Sequence, residues 1–150
     1  MNQSIHRKFI KKAIKLSNVS QKQGRFPAGA LVVLNNDILA EEISSPYPDH
    51  RHADSKAIDN SFEKINGKLT DAVLYSSMIP CLMCISRAYW AGIRKIVYAC
   101  SQLKVNLEYF ETHRSIQAIV DNFDQEIELI HLSEFEKEAL EIIKEWEENS

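Results

Sequence analysis

Cysteine is scarce: the chain has three in 150 residues, and two of them stand together as Cys81 and Cys84. That is too few for the disulfide framework of a small secreted domain, and a reducing compartment would keep the pair as thiols. No apolar run approaches the ~18 residues needed to cross a bilayer, and the N-terminal segment lacks the apolar core of a secretory leader. The expectation is a cytoplasmic protein with no membrane segment. Dense lysine and arginine runs are also missing beyond the N-terminal helix, and 18 basic residues stand against 21 acidic ones, a formal net charge of −3. A domain that lives on phosphate backbones would more often be basic, so folded RNA such as tRNA is disfavoured as a partner. Internal repeats, low-complexity stretches and linkers are absent too. One domain over residues 1–150 is expected, large enough to bury about 70% of the surface its unfolded chain would expose.

What is present is an alternation of helical and strand periods. Ile5, Phe9, Ala13, Ile14 and Leu16 recur at helical spacing and predict a helix over about Ser4 to Gln21. Ala28 to Leu34 and Ile38 to Ile43 are β-prone runs joined by Asn35-Asn36-Asp37, which reads as a hairpin. A loop from Ser44 to Arg51, broken by Pro46 and Pro48, delivers His52 and Asp54 to the first turn of a helix ending near Asn66-Gly67. A third strand is predicted over Ala72 to Ser76, a helix over Cys81 to Ala91 and a fourth strand over Lys95 to Ala99. Beyond them, Asn106 to Asn122 reads as mostly helical, Ile127 to Leu132 as a fifth strand, and Ser133 as the cap of a helix to about Glu148. Right-handed β-α-β crossovers then give an α/β fold, a three-layer α/β/α sandwich around a five-stranded mixed sheet.

Two short stretches carry chemistry: His52-Ala53-Asp54 and Pro80-Cys81-Leu82-Met83-Cys84. A Cys-x-x-Cys that opens a helix points two thiolates at one ion, and the helix N-terminus favours their deprotonated form. A neutral histidine supplies a third ligand. Structural zinc sites close the tetrahedron with a fourth protein ligand, whereas catalytic ones keep that position for water. Three ligands and a neighbouring carboxylate therefore point to a catalytic Zn2+ site at His52, Cys81 and Cys84.

These residues resemble the signature of the zinc-dependent cytidine/nucleobase deaminase superfamily, His-x-Glu followed by Pro-Cys-x-x-Cys, with Asp54 where the family has Glu. Pro27-Ala28-Gly29-Ala30-Leu31-Val32-Val33, Leu74-Tyr75-Ser76-Ser77, Ala88-Tyr89-Trp90-Ala91 and Arg94-Lys95-Ile96-Val97-Tyr98 are similar to the flanking strands and helix, in the guanine-deaminase-like or tRNA-adenosine-deaminase-like branch. The resemblance implies a cytidine-deaminase-like fold, one zinc, and hydrolytic deamination of a small nucleobase or nucleoside, purine favoured, with release of ammonia. It implies Asp54 as proton shuttle, Ala30, Ser44 and Ala53 as substrate-binding positions, the Cys81 and Ala53 main-chain amides as oxyanion donors, and a homodimer. The family often has Glu where Ile79 stands, and a substrate-holding Asn where Ser44 aligns. Phe110-Glu111 falls where guanine-deaminase-like sequences carry Phe-Asp, which implies a second acid whose longer reach offsets the short Asp54.

Other readings stand beside these. A structural zinc clip would recruit Cys100 or Asp54 as fourth ligand; Cys100, closing an apolar strand, otherwise reads as a small buried hydrophobe. His50 reads as a loop residue or a substrate contact, while His6, His113 and His131 lie outside any ligand spacing. The rival functions are a tRNA-editing adenosine deaminase and a catalytically silent zinc protein that binds a nucleobase or a partner subunit.

Overall fold

The computed structural model describes residues 3–46 and 49–149; Pro48, named above as a loop breaker, lies outside them. Helix α1 (Gln3–Lys22) leads into β1 (Gly29–Leu34) and β2 (Asp37–Ile43), then α2 (Ala53–Ile65), β3 (Val73–Met78), α3 (Leu82–Ala91) and β4 (Lys95–Cys100). A short α4 (Ile116–Val120), β5 (Glu128–His131) and α5 (Glu136–Glu148) follow. The strands form one sheet in the order β2-β1-β3-β4-β5. β1 runs antiparallel to β2 and β3, whereas β3, β4 and β5 are parallel, so the expected mixed five-stranded sheet is found.

Burial follows from strand position. β3 is buried along its whole length and β1 and β4 nearly so, which is why Val-Val and Ile-Val runs occupy them without alternation. The edge strands β2 and β5 are only partly buried and carry Glu41, Glu42 and Glu128. Helices α1 and α5 pack together with α1 against β1 and β3, while α2 covers β1 and β2 and packs on α3. At Gly29 a Cβ would lie 2.3 Å from the Ala13 carbonyl oxygen, so α1 rides directly on β1. Asn35 and Asn36 both adopt positive φ, 50° and 67°, giving the two-residue turn whose twist matches the hairpin.

Two expectations are corrected. The segment 106–122 is not mostly helical: it holds a 3-10 turn at Leu107–Tyr109 and the five-residue α4. Local polar groups interrupt it, since the Asn106 and Ser115 side chains accept from Glu108 N (2.9 Å) and Ala118 N (3.2 Å). Buried Gln102 ties the stretch down, donating to the Arg114 carbonyl (2.8 Å) and accepting from Ile116 N (2.9 Å). Ser133 does not cap α5; Ser133–Phe135 is a 3-10 turn, and α5 starts at Glu136. Glu136 is drawn to the end of β4, accepting from Ser101 N (2.7 Å) and facing His131 Nε2 (3.3 Å). His131 stacks on Tyr98, and buried His6 hydrogen-bonds the Tyr75 hydroxyl at 2.7 Å, so both histidines serve packing.

Candidate metal centre and adjoining pocket

Both metal-motif helices begin on a ligand. His52 is the N-cap of α2 and Cys81 the N-cap of α3, each in extended conformation and neither making a side-chain capping bond. Ordinary N-cap residues spend their side chain on the orphan N–H groups of the first turn. Here those side chains face one another instead. Cys84 follows one turn into α3, and the Ile79 N–H, bonded to the Cys100 carbonyl at 2.8 Å, anchors the β3-to-α3 connection.

His52 Nδ1 lies 3.5 Å from Cys81 Sγ and 3.6 Å from Cys84 Sγ. Zinc–sulfur bonds of about 2.3 Å and zinc–nitrogen bonds of about 2.0–2.1 Å at a tetrahedral angle require N···S separations of about 3.6 Å, so the donor set fits a zinc ion. All three ligand atoms fall within 4.8 Å of one another, and among the described residues neither Cys100 nor Asp54 joins the group. Cys100 is buried, with its thiol pushed up to about 12 by burial and Glu136. A closed structural clip is therefore not built. The Cys84 thiol, then His52, hold Cys81 down to about 5 against its burial. Cys84 is correspondingly raised because it keeps the shared proton, and the bond to Cys81 raises His52. A divalent cation would displace both protons.

Asp54, buried in the first turn of α2, lines a pocket of about 170 Å³ beside the cluster. Burial pushes its carboxyl up to about 7, against the opposing pull of Ser76 and His52. The Ser76 hydroxyl donates to the Met78 carbonyl at 2.7 Å, and Asp54 Oδ1 has no hydrogen-bond partner among the described residues. An unmatched buried acceptor costs about 1–3 kcal/mol, so this carboxyl is held at the pocket at a cost to the fold.

The remaining expected residues are distributed unevenly. Ser44 is buried and lines the pocket, its carbonyl accepting from Arg25 Nη1 at 3.0 Å. Ala53, the first residue of α2, is fully buried behind the wall. Ala30 does not line the pocket, a correction that follows from the strand: it is fully buried within β1, paired with Ser76 and Glu42, and Ala28 reaches the cavity instead. Glu111 lies outside the lining, where its two carboxylate oxygens accept from Leu82 N (3.0 Å) and Met83 N (2.9 Å). Burial raises its carboxyl, but these N–H bonds outweigh it and hold the group below its ordinary value. His50 is 84% exposed and turned to Asp49, a loop residue absent from the wall.

Phe26, Asp49, Arg51, Glu108 and Tyr109 also line the cavity and were not legible in the sequence. They sit in irregular segments, where no hydrophobic period marks a face. Asp49 and Arg51 form a paired fork, Nη2 to Oδ2 at 2.8 Å and Nε to Oδ1 at 3.1 Å.

A sequence model of the cytidine and deoxycytidylate deaminase zinc-binding region matches residues 3–100. The chain is 30% identical over 96 residues to a probable cytosine deaminase of Schizosaccharomyces pombe, covering 62% of this chain and 59% of that protein. It is 33% identical over 94 residues to a tRNA-specific adenosine deaminase of Buchnera aphidicola, covering 60% of this chain and 58% of that one. The matches thus span somewhat under two thirds of these relatives' length. In fold, the chain superposes on the guanine deaminase of Nitrosomonas europaea with a TM-score of 0.76 at 18% identity, over 91% of this chain and 81% of the other. Motif, ligand geometry and matched region agree: the chain belongs to the family defined by the cytidine and deoxycytidylate deaminase zinc-binding region.

Proposed function

We propose that this chain is a zinc-dependent hydrolase that removes the amino group of a small nucleobase or nucleoside, a purine first among them, releasing ammonia. The observation that carries the reading is a three-ligand cluster two of whose members, His52 and Cys81, line one small pocket with the buried carboxyl of Asp54. At about 170 Å³ the pocket is smaller than the roughly 300–1,000 Å³ of drug-sized sites, which suits a single base. His52, Cys81 and Cys84 hold the ion, which when bound supplies an activated water at neutral pH. Asp54 would carry the two protons of the attacking water, one to the ring nitrogen and one to the departing amine, as the C–N bond breaks and a C–O bond forms. Of the two expected oxyanion donors, Cys81 stands on the pocket wall and its main-chain amide serves the developing negative charge, while Ser44 offers the base a polar contact. Glu111 positions the first turn of α3 and stands outside the proton path.

The tRNA-specific relative motivates a second reading. Against it stand the net charge of −3 and a pocket wall whose cation, Arg51, is paired with Asp49 and which also carries Glu108. In the same proposal the chain acts as one domain over residues 1–150, in the cytoplasm and as a homodimer. Three unpaired cysteines and a Trp90 that is 78% exposed on α3 support these points; no helix among the described residues is long and apolar enough to cross a membrane. The test is zinc content followed by ammonia release over cytosine, adenine, guanine, their nucleosides and tRNA. Turnover of a free base or nucleoside is expected. Turnover of tRNA alone would install the editing reading, and zinc binding with no turnover would install the silent one.

A further inference from the structure

The pocket wall contains two aromatic side chains from irregular backbone. Phe26 lies between α1 and β1, and Tyr109 ends the 3-10 turn at Leu107–Tyr109. Their rings meet edge to face, with centroids 5.0 Å apart and planes at 81°. A further ring comes from the far end of the chain: Trp146, in the last turn of α5, meets Phe26 at 5.3 Å and 68°. One residue on, the Glu147 carboxylate accepts a hydrogen bond from the Tyr109 hydroxyl. The same turn is tied to α1 through Gln21 Nε2, which donates to Glu145 at 3.1 Å.

From this we infer that Trp146 and Glu147 are positioning residues that set the substrate wall through Phe26 and Tyr109. The zinc ligands ride on α2 and α3, on the face of the sheet opposite α1 and α5. The site is thus assembled from both faces across the strand ends, chemistry from one and the aromatic wall from the other. Loop-borne rings without such a hold sample several rotamers, and ordering them is then paid from binding energy when a planar base arrives. Rings already pinned receive it without that loss. The matched family region ends at residue 100, so Tyr109, Trp146 and Glu147 all lie beyond it and tune this chain's own pocket.

The kinetic part rests on the deaminase reading, so the experiment has a second arm free of substrate. In the zinc-loaded protein, Trp146→Ala is expected to leave zinc content unchanged and to raise KM about two- to tenfold, the size of one lost aromatic pair, with kcat little altered. Trp146→Phe, which keeps a ring, should recover most of the loss, and Glu147→Ala, at an exposed position, should give a smaller rise of the same kind. Without substrate, hydrogen exchange should accelerate several-fold at the Ala28, Tyr109 and Phe110 amides in Trp146→Ala while β3 and α3 stay protected. Unchanged KM in both alanine variants, or unchanged exchange at those amides, overturns the inference. So does joint loss of zinc, stability and kcat, which marks a purely structural residue. If wild type releases ammonia from no compound, the deaminase reading fails on its own, and the exchange arm still decides whether α5 holds the wall.

Discussion

Glu111 closes the first turn of α3 from outside the helix, its Oε2 accepting from Met83 N at 2.9 Å while Oε1 accepts from Leu82 N at 3.0 Å. Cys81 occupies the N-cap position but contributes no capping bond, so a residue thirty positions later does the capping and frees the thiol for metal.

Glu111→Ala is therefore expected to lower stability by about 1 kcal/mol, the usual worth of a cap, and to weaken zinc binding by loosening the turn that presents Cys81 and Cys84. Thermal unfolding and competitive zinc titration check this. A kcat loss beyond a hundredfold with intact zinc affinity and stability would instead put Glu111 in the proton path.

Cys84→Ser should lose most of its zinc and unfold at lower temperature than the zinc-loaded wild type, because metal bound only by the native state adds to folding free energy. Metal analysis after dialysis against a mild chelator is the measurement. Near-normal zinc retention would remove Cys84 from the ligand set.

Asp54→Ala should cut turnover by about 10²–10⁴-fold, as expected for loss of a general acid–base group, and leave zinc in place. It should also raise the stability of the metal-free protein, since a buried carboxyl with an unpartnered oxygen is a cost to the fold. Unchanged turnover of the best substrate would exclude Asp54 as proton carrier. Asp54→Glu restores the acid common to the family and should keep or raise the rate if the pocket accommodates the added methylene.

His6 gives the fold a pH dependence remote from the metal. Burial, reinforced by Lys95, lowers its pKa from 6.5, so between that lowered value and 6.5 the unfolded chain binds more protons than the native one. Stability from this group is complete above pH 6.5 and declines as pH falls toward the folded value. Urea unfolding between pH 8 and pH 5 should show that decline, and His6→Gln should flatten it; an identical slope in the variant would clear His6.

The metal ligands were legible in the sequence because they are local: Cys81 and Cys84 are three residues apart at a helix start, and His52-Ala53-Asp54 opens another. The strands and principal helices were legible for a related reason, since a buried strand or an amphipathic helix writes its period into consecutive residues. The misread segment 106–122 shows where this ends. Its apolar residues have helical spacing, but backbone N–H groups donate to the side chains of Asn106, Ser115 and the distant Gln102 and bend the chain into short turns.

The Glu111 cap and the wall made by Phe26, Tyr109 and Trp146 are tertiary facts. Glu111 meets Leu82 and Met83 across 29 and 28 positions, and Tyr109 meets Glu147 across 38. No spacing rule links such pairs; they meet because the sheet order brings the end of β3 beside β4 and lays α5 against α1. The sequence by itself determined which ion the chain can hold, because ligand type and helix register are local properties. Only the tertiary structure decided what closes around that ion, because the wall is built from loop side chains whose positions depend on packing between elements far apart in the chain.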